Sequence, residues 1–294
     1  MLSAVKRKRI RVSKVKRLSR SPVTTFFLAF MLFVVGVFMA LPMVYAVVSA
    51  FKPMEEFFVF PPRFFVINPT TDNFILMGQL MSSMWVSFER YLFNTLFVSG
   101  LSTLIYTFIA VLASYPLAKH RFPGSKVIRE LIVTALMFTS AVTGVAQYII
   151  LARLRLINTY GALLLPSLAS TMGVFLCMQN LTLVPDEMLE SGKIDGAGEY
   201  RIWWSLVVPN IKPVVATIVI FQFQSVWNQT GHHLIFNEAL KPLATALSQI
   251  TSAGISRAGA GAAASLLLMI PPILVFIISQ GKVMETMVNS GIKG

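Results

Sequence analysis

The chain has 294 residues, of which 55% are apolar and only 13% charged, with a mean hydropathy of +0.72 and a formal net charge of +13. A soluble fold of this size carries about 25% charge, so this composition does not build a water-facing surface, which argues against a soluble enzyme or a nucleic-acid-binding domain. The single cysteine, Cys177, excludes an internal disulfide and a cysteine-rich metal site.

Nine of the 25 Lys and Arg lie in the first 20 residues, from Lys6 to Arg20. This basic tail, residues 1–21, reads as a segment held near anionic lipid on the cytoplasmic side. A nucleic-acid arm is disfavoured because no base-stacking aromatic interrupts the run. A cleaved signal peptide fits poorly, because the apolar stretch after Pro22 runs to about Ala50, whereas a signal core has about 7–15 residues. Hydropathy then predicts six spans, over about 24–50, 92–117, 130–151, 160–181, 206–227 and 262–278. In hydrocarbon such runs satisfy their backbone as helices. The expected fold is therefore an all-α membrane protein with six transmembrane helices and, over 22–294, a single domain.

Six spans put both termini on one side. Sorted that way, 18 Lys and Arg fall on the side of the termini and 7 on the other, so both termini are expected in the cytoplasm. The 51–91 connection is then external. It carries the aromatic, proline-rich stretch Phe57 to Phe65, which could cap the protein, contact a partner or pack on the outer leaflet.

The connection between spans four and five, Leu183 to Pro209, faces the cytoplasm in this scheme. Five of the twelve acidic residues lie between Asp186 and Glu199. Pro185 followed by Asp186 and Glu187 is a helix-start signal, and Gly196 and Gly198 interrupt the chain about three turns later. Two short helices at an angle are expected, with the acidic side exposed and Trp203 and Trp204 at the membrane interface. A rigid exposed helix of this kind suits docking into a groove on another protein.

Glu190-Ser191-Gly192, Gly196, Leu206 and Val208-Pro209 follow the spacing Glu-Ala-Ala, three residues, Gly, nine residues, Ile, any residue, Leu-Pro. This segment resembles the signature loop of permease subunits of binding-protein-dependent ABC importers. Ser191 and Gly192 replace the two alanines, and Gly192 is expected to weaken the helix by about 1 kcal/mol relative to Ala. Further matches are similar to sugar-import permeases like the smaller membrane subunit of the maltose system: Ser49 to Pro53, Pro61-Pro62, Asn68 to Thr70, Asp72 to Phe74, Asn94-Thr95, Tyr115 to Lys119, Phe122 to Gly124, Asn158 to Tyr160, Trp227-Asn228 and Ser290 to Gly294.

The resemblance implies an importer in the bacterial cytoplasmic membrane, with this chain as one permease. The implied partners are a second permease subunit, two ATPase subunits, an extracytoplasmic solute-binding protein and membrane lipid. It assigns ATPase coupling to Glu190, Ser191, Gly192, Asp195, Gly196 and Ala197. No phosphate-cradling loop is present, since Gly192-Lys193 is followed by Ile194 and Gly281-Lys282 by Val283. No cofactor and no catalysis are expected in this chain, and ATP and Mg belong to the partner ATPase.

A sugar path needs hydroxyls, amides and aromatic faces. Ser99, Ser102, Thr103 and Tyr106 share a face of the second span; Ser140, Thr143 and Gln147 share one of the third. Gln224, Trp227 and Asn228 share one of the fifth, the set expected to contact substrate. The alternative for each is ordinary helix packing. His232-His233 lacks partners at metal-ligand spacing, and the Gly/Ala run from Ala253 to Ala264 reads as close helix packing. A permease for an amino acid or polyol remains open. An ion-coupled carrier is disfavoured, because no acidic residue lies well inside any expected span.

Overall fold

The computed structural model describes residues 22–138, 140–231, 233–252 and 254–290. The basic tail, Thr139, His232, Ala253 and the terminal residues 291–294 lie outside the described residues, as do the side chains of Pro22, Ser140, Ala141, Val142, Ile255 and residues 282–290. The chain falls into two compact units, one up to Tyr45 and one from Ala46 onward.

Among the described residues the secondary structure is helical. In chain order the helices are α1 (Pro22–Ala50), α2 (Met54–Phe57), α3 (Asp72–Ser82), α4 (Phe88–Lys119), α5 (Ser125–Ala135), α6 (Ser140–Arg153), α7 (Tyr160–Leu168) and α8 (Met172–Leu181). Then follow α9 (Asp186–Ile194), α10 (Glu199–Ile202), a π-helical turn (Trp203–Val207), α11 (Val208–Asn210), α12 (Lys212–Trp227), α13 (Leu243–Thr251) and α14 (Ala258–Ser290).

Four helical stretches among the described residues are long and apolar enough to cross a membrane: Val23–Ala50, Phe88–Lys119, Tyr160–Leu181 and Ala258–Gly281. A fifth arises if the pair Glu199–Asn210 and Lys212–Trp227, bent by 78°, counts as one span. The span expected over 130–151 is divided between α5 and α6. Lys126, Arg129 and Glu130 give α5 a polar side at i, i+3 and i+4 spacing, while Val127, Ile128 and Leu131 are exposed and apolar. Such a helix suits an interface better than hydrocarbon.

In the second unit α4 is the hub, packing on α7, α8 and α12, while α14 packs on α3, α12 and α13. Ala260, Ala263 and Ala264 are almost fully buried. A Cβ on Gly259 would lie 2.0 Å from Asn73 Oδ1, so the small residues of α14 permit close approach.

Several matched polar residues fasten connections to helices. Asn73 donates from Nδ2 to the carbonyls of Ala50 and Lys52 at 2.9 and 2.8 Å. Asn94, fully buried, donates to Ala239 and Lys241 carbonyls and accepts from Tyr160 Oη at 2.6 Å. Asn158, at φ +63°, accepts from the backbone N–H groups of Phe236 and Asn237. Apart from the Tyr160 bond, which joins two side chains, these bonds satisfy backbone groups at helix ends and in connections.

Candidate functional site: the acidic loop and a polar cavity

The acidic loop is two short helices joined by a glycine turn. Asp186 and Glu187 occupy the first turn of α9 and Lys193 the last, both complementing the helix dipole. Gly196, at φ +78°, ends the helix. Its N–H donates to Lys193 O, and the Ala197 N–H donates to Gly192 O, both at 3.0 Å. This is a Schellman closure, in which glycine at the left-handed position lets the last carbonyls find donors. The motif's Asp195-Gly196-Ala197 thus has a backbone reason.

α9 presses one face inward. Leu189 and Gly192 are buried against Ile202, Trp203 and Val207. A Cβ on Gly192 would lie 2.9 Å from Leu206 Cδ1, so the glycine that weakens the helix also brings it close to the following turn. Glu190, Ser191, Asp195 and Gly196 are exposed, and Ala197 is half-buried. The Ser191 hydroxyl donates to Met188 O at 2.9 Å. Beside these polar groups stand Ile194, 85% exposed, and Tyr200, 83% exposed. These two side chains project from the same loop as the exposed acidic residues. Hydropathy averaging hides them; the signal was an Ile placed just before a helix-ending glycine.

The loop is clamped to the end of α4. Lys119 donates from Nζ to Val184 O and to Asp186 Oδ1, each at 2.6 Å. Tyr115 donates from Oη to Glu199 Oε2 at 2.9 Å. Glu199 also meets Lys193 Nζ at 2.8 Å and His120 Nε2 at 3.5 Å. Glu199 is therefore engaged within the chain, unlike the exposed Glu190 and Asp195. The tryptophan pair divides: Trp203 is buried, its Nε1 donating to Val111 O at 3.4 Å, while Trp204 is exposed. Trp203 thus packs on α4, and Trp204 is the member of the pair that faces outward.

Beyond the π-helical turn the chain bends by 78° at Ile211, which is fully buried, and continues as α12. Pro209 and Pro213 lack amide donors and restrict the residues before them, which favours a break here. α12 then borders a cavity of about 520 Å³ whose lining includes Tyr106, Gln147, Ser170, Gln222, Ser225 and Gln229, with Phe221. A second cavity of about 760 Å³ shares Gln147 and Ser170 and includes Thr143. None of the described lining residues of either cavity is charged.

The expected path residues separate on this map. Thr143 and Gln147 line cavities; Gln224, Trp227 and Asn228 line neither. Trp227 is 1% exposed and donates from Nε1 to Leu268 O at 3.0 Å, joining α12 to α14. Asn228 donates to Gln224 O at 2.9 Å. The cavity side of α12 carries Gln222 and Ser225, and Gln229 just past its end joins them, a spacing of i, i+3 and i+7 that the sequence also displays. In α4, Tyr106 is buried and accepts from the Gly173 N–H at 2.7 Å, and Ser102 accepts from Ser167 Oγ at 2.9 Å. Among the described residues no group of three or more His, Cys, Asp or Glu is placed to hold a metal.

Fold and loop together define a polytopic membrane transport subunit. No family model matches the chain. It is 31% identical over 209 residues, 69% of this chain and 74% of the relative, to the sn-glycerol-3-phosphate transport system permease protein UgpE of Yersinia enterocolitica. It is 23% identical over 282 residues, 93% of this chain and 98% of the relative, to the arabinooligosaccharides transport system permease protein AraQ of Halalkalibacterium halodurans. The fold matches a chain of a bacterial ABC transporter involved in import of the acidic polysaccharide alginate, with a TM-score of 0.71 at 19% identity, covering 89% of this chain and 98% of that one. The chain belongs to the permease subunits of binding-protein-dependent ABC sugar importers of the maltose type.

Proposed function

We propose that this chain is one of two permeases in an ATP-driven importer for a neutral sugar or oligosaccharide, working by alternating access. The observation that carries this reading is the acidic loop: α9 presents Glu190, Ile194 and Asp195 outward while Leu189 and Gly192 anchor it to the turn that leads into α12. A partner ATPase grips that exposed face, and the ATP and Mg chemistry resides there. Residues 183–209 are then the cytoplasmic coupling element, and both termini are cytoplasmic, as the Lys and Arg distribution favours. α6 and α12 supply the remaining two of the six passes, with α5 and the 183–209 loop at the membrane surface.

The mechanical path follows from the contacts. The loop is tied to α4 through Lys119 and Tyr115 and is continuous with α12 through Ile211. Those two helices carry Tyr106, Gln222 and Ser225 of the polar cavity, and Gln229 follows directly on the second. Displacing the loop therefore acts on both sides of one cavity wall. An extracytoplasmic binding protein delivers the solute to the opposite side, and a second permease completes the path.

The substrate class follows from the lining. Hydroxyls, amides and aromatic rings without a cation suit a neutral polyhydroxy solute, whereas a phosphate or uronate would seek Arg or Lys. The test is ATPase stimulation of the reconstituted complex across neutral and anionic saccharides. Stimulation by a neutral saccharide, lost in Glu190→Lys while the protein still inserts, is the expected result. Stimulation only by anionic solutes, or full transport in Glu190→Lys, overturns the reading.

A further inference from the structure

At the end of α4, beside the acidic loop, lies a pocket of about 550 Å³ lined among others by Lys119, His120, Arg121, Ser125, Arg129 and Asp186. Its cations outnumber its anions. Asp186 is the one carboxylate among the described lining residues, and Lys119 holds it at 2.6 Å. Glu199, 3.5 Å from His120 Nε2, is also engaged by Lys193 and Tyr115. Arg129 donates from Nη1 to Leu117 O at 3.2 Å, which leaves the rest of its guanidinium fork available. Arg121 is exposed and in no ion pair among the described residues. His120 Nδ1 is buried without a hydrogen-bond partner. Ser125, buried at the first position of α5, also lines the pocket.

Two guanidinium groups and an ammonium together suit a phosphate group. Two features favour a lipid phosphate over a free one. The pocket sits where the apolar Phe88–Lys119 stretch ends, the level of lipid headgroups. It is also flanked on α5 by exposed Val127, Ile128 and Leu131, which offer an apolar surface to acyl chains.

We propose that this pocket binds the phosphate of an anionic phospholipid, whose acyl chains lie along the apolar face of α5. The assignment rests on the function proposed above only in placing this end at the cytoplasmic leaflet, where anionic lipid lies.

The experiment is native mass spectrometry of the purified transporter complex in nanodiscs containing phosphatidylcholine and phosphatidylglycerol. Wild type is expected to retain phosphatidylglycerol, and Arg121→Gln, which removes none of the internal bonds described, to retain about fivefold less. Equal retention by the two proteins overturns the proposal. In phosphatidylcholine-only nanodiscs with added inorganic phosphate, no bound phosphate is expected. Phosphate bound there, with no retained phosphatidylglycerol in the mixed discs, makes the ligand soluble and overturns the lipid assignment. Loss of the ATPase from Arg121→Gln on purification, with lipid retention unchanged, makes the pocket a protein contact and overturns it also. Lipid retention is read without transport, so a failed uptake assay leaves this result separately interpretable.

Discussion

Tyr115 and Glu199 are 84 positions apart, and the tyrosine hydroxyl donates to the glutamate carboxylate at 2.9 Å. One residue sits in the last turns of α4; the other opens α10. The bond joins the hub helix to the acidic loop at a point where Lys193 also reaches the same carboxylate. Tyr115→Phe removes the donor and keeps the ring. With Glu199 half-exposed, the expected loss is about 1 kcal/mol. A lower unfolding temperature of the purified complex, and more ATP consumed per solute moved, would check it.

The two glycines of the loop are expected to behave in opposite ways. Gly196→Ala forces a Cβ into the left-handed region at φ +78° and is expected to destabilise the loop by about 1–2 kcal/mol. Gly192→Ala gains up to about 1 kcal/mol of helix propensity. Its Cβ would crowd the end of the flexible Leu206 side chain at 2.9 Å and make ordinary contact with Ile202 Cγ1 at 3.4 Å, so a small shift of Leu206 accommodates it. Limited proteolysis of the loop should accelerate in the first variant and stay level or slow in the second.

Replacing residues on the two faces of α12 should separate folding from transport. Trp227→Ala opens a cavity between α12 and α14 and is expected to cost about 3–5 kcal/mol, seen as reduced folded protein in the membrane. Ser225→Ala and Gln229→Ala should leave the amount of folded protein unchanged. Each is expected to raise the KM for uptake several-fold, by about one hydrogen bond's worth. Unchanged KM in both would remove that face from the solute path.

Glu238 predicts an acid-side change. Burial raises its carboxyl pKa, but hydrogen bonds from Lys241 and Tyr91, with the Lys241 charge, outweigh this and hold it below the ordinary value. A depressed folded-state pKa contributes stability above the unfolded value of about 4.3. That stability is lost as pH falls through the folded value. Thermal stability should therefore drop on acidification below about pH 4, and Glu238→Gln should flatten that part of the profile.

The acidic loop was legible in sequence because its determinants are local. A proline-acid start, a glycine closure and the spacing to Val208-Pro209 all lie within one short segment. The rotation of α12 was not, because two polar stripes compete there, and only packing against α4 and α14 places Gln222, Ser225 and Gln229 at the cavity. The division between α5 and α6 was hidden for a related reason. Leu136, Met137 and Phe138 are apolar and include neither proline nor glycine, so hydropathy runs straight through the break. Trp203 and Trp204 are adjacent and identical in kind, yet the contact of Trp203 with Val111 depends on a helix about ninety residues earlier.

Were the loop pushed as proposed, the 78° elbow at Ile211 would set the direction of the response. A thrust along the axis of the short limb, residues 199–210, would meet α12 almost broadside, tilting the long limb rather than compressing it. With its pivot sealed under other side chains, the elbow would then work as a bell crank, turning small excursions of the loop into lateral swings of α12.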